Sequence, residues 1–455
     1  MVSQIKASIR YNNLMKSKSI FLCQQCGYQS PSWMGKCPEC GAWNSLVETI
    51  EETPVGSGQL AVGRKKQTPP QKLSEVIMHK TDRMPTGFAE FDRVLGGGIV
   101  PGSVLLVSGD PGIGKSTLLL QVAGILGGLY ISGEESTHQI KLRATRLGIT
   151  NDSLLLLSET DLDTITTTIV NATHKNKLPL VIVDSIQTIA ATRLTGIAGS
   201  VGQIREATHE LMQVAKQTNT PLFIVGHVTK EGSIAGPKLL EHMVDVVLYV
   251  EGDRYYQGRM VRTLKNRFGP TDEVGVFEMK EEGLAEITNP SEMFLQGRVS
   301  DVPGSVIAVT MEGTRPLLAE VQSIVVPTTL AMPRRVANGV DYNRLQVILA
   351  ILQKRLNIPL GASDIYVNVS GGLKLAEPAT DLPIALSLIS SFRNIALPKI
   401  LCAFGELGLL GELRSVKAEK RRMDEAKRLG FTTVISPKTS QLLSTIVASV
   451  FGKGK

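Results

Sequence analysis

Residues 104–117 read VLLVSGDPGIGKST, an apolar run, a glycine-rich turn and a lysine followed by two hydroxyls. Within it, Gly109-Asp110-Pro111-Gly112-Ile113-Gly114-Lys115-Ser116-Thr117 satisfies GxxxxGK[ST]. The run before it reads as a strand and the residues after it as a helix, which is the context this pattern requires. The glycines let backbone N–H groups close around phosphate, and the helix N-terminus adds positive potential. Lys115 is expected to reach the β- and γ-phosphates, and Ser116 to ligand Mg²⁺. The stretch therefore predicts a nucleoside triphosphate site, with ATP and Mg²⁺ as cofactors, on an α/β domain.

Outward from this loop, over about 76–290, VLLVSG, LYIS, LLLLS, LPLVIVD, PLFIVGH and VDVVLYVEG read as strands. Their near-continuous apolarity suits a sheet covered on both faces. Helical stretches such as STLLLQVAGIL and REATHELMQVAKQT lie between them, which predicts a mostly parallel central sheet. Asp184 ends LPLVIVD beside the phosphate loop, where a carboxylate would hold Mg²⁺ through water. Its alternative is a helix N-cap, since DSIQT can begin a helix. Glu134 and Glu135 follow LYIS; a carboxylate there would polarise an attacking water, and surface acidity is the even alternative. Lys265-Asn266-Arg267-Phe268-Gly269 comes after the last of these strands. Lys265 and Arg267 would act there as trans-acting cations on a neighbour's γ-phosphate, or form a solvated basic turn. His227, closing FIVGH, would sense the γ-phosphate or merely cap its strand.

A second motif is Cys23-x2-Cys26-x10-Cys37-x2-Cys40. Two CxxC hairpins supply four thiolates, the tetrahedral preference of structural zinc, and a full sulfur shell leaves no open position for catalysis. Gly27 and Gly41 fit the knuckle turns, and Trp33, Trp43 and Lys36 are the candidates for stacking or protein contact. Packing across the mini-core is the equal alternative. Cys402, in LCAFGEL, reads as a buried core thiol. Five cysteines with four in one cluster argue for a reducing compartment rather than a disulfide framework.

The chain has 455 residues, 42% hydrophobic and 20% charged, which suggests about three domains and excludes a largely disordered chain. No uninterrupted apolar run approaches the ~18 residues of a membrane span, so no membrane partner is expected. Formal charge is +7, and residues 1–75 contribute +4 of it, which hints at a polyanion. The organisation expected is an extension over 1–18, a zinc module over 19–50, a linker over 51–75, an ATPase domain over 76–290 and a further α/β domain over 291–455. Residues 1–18 carry Lys6, Arg10, Lys16 and Lys18 with no acid. They read as an upstream start with Met15 the true one, or as an organellar transit peptide.

Together, CQQCGYQSPSWMGKCPECGAWNSL, PTGFAEFDRVLGGGIVPGS, GDPGIGKST, YISGEES, GHVTKEGSIAGP, LEHMVDVVLYVEG and KNRFG resemble the bacterial RadA (Sms) family of DNA-repair ATPases over roughly 19–450. The resemblance implies a RecA-like core that assembles as a hexameric ring similar to DnaB-type helicases. It implies a cytoplasmic bacterial protein acting with the recombinase RecA in branch migration on single-stranded and branched DNA. It also implies Glu134 as the water-activating glutamate, Lys265 and Arg267 as fingers, and the zinc module in contact with DNA or recombinase. The C-terminal region resembles the proteolytic domain of Lon. There the nucleophile position of its Ser–Lys dyad falls on Ala379 in Glu377-Pro378-Ala379-Thr380-Asp381, with Lys420 a loose match to the lysine. Peptidase activity is therefore not expected; assembly and DNA contact is, with Arg334, Arg335, Arg344, Lys354, Arg355 and Lys374 as candidates, each equally readable as a solvated surface charge. A DNA-stimulated ATPase motor leads; a Lon-like ATP-dependent protease and a non-motor ATP-binding regulator are the alternatives.

Overall fold

The structure, a computed structural model, describes residues 17–52, 72, 83–227, 238–252 and 258–452. Both candidate start methionines, nearly all of the expected linker and all of VTKEGSIAGP after Gly226 and His227 lie outside the described residues. The N-terminal unit is an antiparallel sheet of β1 (Ser17–Cys23), β2 (Gln29–Ser30) and β3 (Leu46–Glu52), in the order β2-β1-β3. Its first and third strands take in Ser17, Lys18, Glu51 and Glu52.

The central unit runs α1 (Ala89–Leu95), β4 (Val104–Gly109), α2 (Lys115–Leu126), β5 (Gly128–Ser132), α3 (Thr137–Arg146), β6 (Leu154–Ser158), α4 (Leu162–Asn176) and β7 (Val181–Asp184). It continues through α5 (Val201–Thr218), β8 (Leu222–His227), α6 (Lys238–Glu241), β9 (Val246–Glu251), β10 (Gly258–Asn266), β11 (Val274–Lys280) and β12 (Gly283–Glu286). All six strands expected from the sequence are present, adjacent and parallel, in the order β9-β4-β8-β7-β5-β6. Every residue of β4 is buried, as a strand flanked by helices on both faces requires. One face packs Leu105, Val107, Leu118, Phe223 and Val225 together, and the other Leu106, Ile131, Val183, Ile204 and Ile224. Helix α5 buries Ile204, Ala207, Leu211, Val214 and Ala215, a stripe at helical spacing, and ends on Asn219 in the left-handed region.

The sheet does not stop at β9. Strands β10, β11 and β12 extend it antiparallel to nine strands. KNRFG therefore begins inside β10, with two more strands following, rather than after the last strand. GRMVRTLKN alternates, burying Arg259, Val261 and Thr263 on one face, and its basic residues dilute the apolar run that marks the parallel strands.

After α7 (Pro290–Leu295), the C-terminal unit comprises β13 (Ser305–Glu312), β14 (Arg315–Pro327), β15 (Arg335–Asn338), α8 (Tyr342–Leu356), β16 (Ser363–Val369) and α9 (Asp381–Arg393). It closes with β17 (Leu401–Ala403), β18 (Glu406–Leu407), β19 (Leu413–Arg414), α10 (Glu419–Arg428), β20 (Thr433–Ile435) and α11 (Leu443–Phe451). Its main sheet has the order β15-β16-β14-β13-β17-β20, and α8 and α9 bury Leu345, Ile348, Leu352, Leu382 and Leu386 in its core. Cys402 is the expected core thiol, packed with Ile307, Val309 and Phe404 and pushed up to about 12 by burial. Arg315 Nη1 reaches Glu90 Oε2 at 2.5 Å and so ties β14 to α1 of the central unit.

Candidate active site and zinc centre

The carboxyl ends of β4, β5, β7 and β8 meet at one edge of the sheet, where Gly109 pairs with His227 and Ser132 with Asp184. At that edge the chain leaves β4 at Gly109 with φ 147°. A Cβ there would sit 2.3 Å from Val250 O, so only glycine makes this exit. Helix α2 begins directly at Lys115, and the amides of its first turn have no carbonyl partner within the helix. A Cβ added to Gly112 would meet nothing within 4 Å, so the loop opens outward. The cradle thus fits a nucleotide's phosphates: an open loop, free first-turn amides and a lysine at its base.

Lys115 is 3% exposed, and its Nζ donates to the carbonyls of Gly109 and Asp110 at 2.9 Å each. Burial lowers its pKa, opposed by the charges of Asp184, Asp110 and Glu134. The charges of those three carboxylates act on the lysine, so a cation in this site is partly counter-balanced. Asp184 is not a helix N-cap. Ser185 occupies the cap position of the short turn Ile186–Thr188, and Asp184 accepts a hydrogen bond from the buried hydroxyl of Tyr130. Asp184 and the partly buried Ser116 of the first turn of α2 are the residues suited to hold Mg²⁺ here.

The two glutamates after β5 separate. Both backbone amides bond Ser132 Oγ, at 3.3 Å for Glu134 and 2.9 Å for Glu135, and this turn splays their side chains. Glu135 pairs with Arg143 at 2.8 Å, whereas Glu134 Oε1 accepts from Ser185 Oγ at 2.6 Å and lies 3.5 Å from His227 Nε2. Glu134, not Glu135, faces the phosphate edge. Gly133 between them and β5 approaches Thr188 so closely that a Cβ would fall 2.1 Å from its Oγ1, which packs this turn against the short turn Ile186–Thr188 that follows β7.

Tyr130, Ser185 and Arg143 are site residues that reading the sequence missed. Arg143 Nη2 donates to Tyr130 OH at 3.1 Å, so a chain of Glu135, Arg143, Tyr130 and Asp184 runs along the site's floor. Burial, then the Asp184 charge, holds the Tyr130 hydroxyl well above its ordinary pKa, and it stays a donor. The available signal was the tyrosine in LYIS: a hydroxyl in a fully buried strand needs a partner.

In the N-terminal unit the four sulfurs of Cys23, Cys26, Cys37 and Cys40 lie within 4.8 Å of one another. Cys23 and Cys40 Sγ are 3.6 Å apart, and Cys26 and Cys37 Sγ 3.5 Å. A tetrahedral zinc with Zn–S of about 2.3 Å sets its sulfurs about 3.8 Å apart, so the cluster fits zinc with little movement. The amides of Gly27 and Gly41 close the two knuckles onto the carbonyls of Cys23 and Cys37 at 2.9 Å each. Ser45 Oγ lies 3.2 Å from Cys23 Sγ as an outer support.

Family models match three stretches: "Rubredoxin metal binding domain" over 21–48, "KaiC" over 84–156 and "Subunit ChlI of Mg-chelatase" over 336–440. The DNA repair protein RadA of Bacillus subtilis (strain 168) is 51% identical over 431 residues, covering 93% of either chain. That of Streptococcus pyogenes serotype M1 is 49% identical over 431 residues, covering 94% of each. That of Listeria monocytogenes is 48% identical over 432 residues, covering 94% of this chain and 93% of its own. This chain belongs to the RadA family. The four-cysteine module, RecA-like ATPase core and Lon-like α/β domain are thus one family architecture.

In this RadA-family chain Lys265 and Arg267 sit at the far edge of the sheet from the phosphate loop. Asn266 pairs with Val246, which also pairs with Leu105, whereas Gly109 pairs with Val250. Four residues of strand separate the two levels, about 13 Å at about 3.3 Å per residue. Lys265 Nζ donates to Glu241 O at 2.7 Å, and Arg267 Nη1 lies 3.2 Å from Asp245 Oδ1. Neither is brought to the chain's own site.

The Lon-like turn of this RadA-family chain is tied down by an ion pair between the partly buried Glu377 and a buried arginine. Arg422, 1% exposed, gives both Nη atoms to the Glu377 carboxylate at 2.6 Å each. Glu377 also accepts from Thr310 Oγ1 at 2.9 Å and Met311 N at 2.7 Å. Ala379 and Thr380 are buried, Thr380 Oγ1 donates to Glu377 O at 2.8 Å, and Lys420 is exposed. Glu377→Ala would strand the guanidinium, and a loss of roughly 3 kcal/mol is expected, read as an earlier urea transition of this domain. Of the basic candidates, Arg344 is spent on Asp381, Arg335 on the carbonyls of Ser363 and Leu360, and Arg355 on Leu409 O. Arg334, Lys354 and Lys374 are exposed.

Proposed function

We propose that this chain is a DNA-dependent ATPase of recombinational DNA repair. In this reading it forms a hexameric ring that uses ATP hydrolysis to translocate on single-stranded DNA, and with RecA it promotes branch migration of recombination intermediates. The observation that carries it is the split of the catalytic parts across the sheet: Lys115, Asp184 and Glu134 at one edge, Lys265 and Arg267 at the other. A site completed by cations from a neighbour's opposite edge works only in a head-to-tail assembly, which a closed ring provides for every subunit. The RadA relatives are named as DNA repair proteins, which supports nucleic acid as the track.

In the reaction Lys115 leaves the carbonyls of Gly109 and Asp110 for the β- and γ-phosphates, and the first-turn amides of α2 hold the chain of phosphates. Ser116 and Asp184 would hold Mg²⁺, which supplies charge neutralisation on the phosphate oxygens. Tyr130 fixes the orientation of Asp184 by its hydrogen bond. Glu134, oriented by Ser185 and facing His227, accepts a proton from the attacking water. His227 is placed to report the γ-phosphate. Lys265 and Arg267 of a neighbour stabilise the charge that develops on the transferred group. A backbone-tracking motor reads phosphates rather than base edges, so no base specificity is expected.

The test is a synthetic three-strand junction with RecA. ATP should extend the heteroduplex from the branch point, and a non-hydrolysable analogue should not. Equal extension with both nucleotides would remove the motor and leave an ATP-binding regulator.

A further inference from the structure

The protein's only two tryptophans, Trp33 and Trp43, stand on the surface of the second zinc knuckle, 58% and 73% exposed. Their rings converge. A Cβ built on Gly35 would lie 3.7 Å from Trp33 Cη2 and 3.8 Å from Trp43 Cζ3, so the bare glycine leaves a gap bordered by both. Lys36 Nζ lies 5.7 Å from the Trp43 ring centroid and adds a cation to the aromatic pair. The arrangement is held from within. Lys36 and Trp43 form an antiparallel bridge, and Asn44 N donates to Gly35 O at 2.8 Å. Cys37 N donates to Ala42 O at 2.9 Å, so the knuckle that would grip zinc also fixes both rings.

We infer that Trp33, Trp43 and Lys36 form a stacking platform for the unpaired bases of single-stranded nucleic acid, an additional contact that rests on the DNA-dependent reading above. Every base has a π-face, so exposed rings beside a cation hold single strands without reading sequence. A protein partner would need an apolar interface core. The exposed residues beside them in the chain, Ser32, Glu39 and Asn44, are polar, and Met34 packs against the mini-core. Lys36, set beside the Trp43 ring, is the cation placed to meet a phosphate of the bound strand.

Because both tryptophans lie in the platform, the intrinsic fluorescence of the full-length, zinc-loaded protein reports on it alone. Titration with a thymidine homopolymer should quench this emission saturably, and added salt should weaken the effect. In the double variant Trp33→Ala, Trp43→Ala, with one zinc per chain confirmed, affinity for a fluorescein-labelled strand followed by anisotropy should fall at least about tenfold. Binding by anisotropy with unchanged tryptophan emission, and unchanged affinity in the variant, would overturn the platform while leaving the DNA-dependent function standing. An emission change with RecA alone and none with the oligonucleotide would place a protein on the rings and overturn it as well. No binding of the strand at all would overturn both readings.

Discussion

Lys115→Ala should reduce ATP turnover by roughly 10³-fold or more, the scale set by losing a preorganised positive charge on the transferring phosphoryl group. The side chain is a buried cation under the charges of Asp184, Asp110 and Glu134. Its removal also frees the carbonyls of Gly109 and Asp110, and a thermal melt should accompany phosphate release to separate lost chemistry from a loosened loop. Lys115→Arg should remain nearly inactive, since the bulkier planar guanidinium does not fit the space where the buried ammonium bonds two carbonyls. Wild-type phosphate release from the alanine variant would mean that hydrolysis happens elsewhere in the chain.

Lys265→Ala should cost a comparable factor, about 10³, the lower end of what a finger supplies. The reason is different. The chain's own phosphate loop lies about 10 Å of strand away, with Lys265 anchored on Glu241 O beyond the amino end of β9, so the defect should belong to the neighbouring site. Mixing the Lys265→Ala and Lys115→Ala proteins under exchange should therefore restore part of the activity. In the proposed ring, one type of mixed interface joins an intact Lys115 to an intact Lys265. Mixed assemblies as inactive as either parent would assign Lys265 a role within its own subunit.

What the sequence made legible follows from locality. The phosphate loop, the four cysteines and the six parallel strands are each written in a short contiguous stretch, and the structure contains all of them. The place of Asp184 at the phosphate edge was readable because it closes an apolar strand; only the turn geometry, with Ser185 in the cap position, removed the helix-cap alternative. Glu134 and Glu135 were indistinguishable in a string of letters, because their difference is set by Ser132 and by the distant Arg143, Ser185 and His227. Strands β10–β12 escaped because an antiparallel extension with one partly polar face lacks the continuous apolar run of a buried parallel strand. Arg344 read as a surface cation, yet it is the partner of Asp381, which is fully buried. Charge alone does not distinguish a solvated arginine from one that neutralises a carboxylate across the fold.

Steady-state ATP hydrolysis with and without single-stranded DNA, across a salt series and with Lys115→Ala as control, tests the central claim most directly. Strong stimulation by the strand that fades as salt rises, with the control inactive throughout, is the predicted result. Hydrolysis that is dependent on Lys115 but indifferent to DNA at every salt concentration would contradict it.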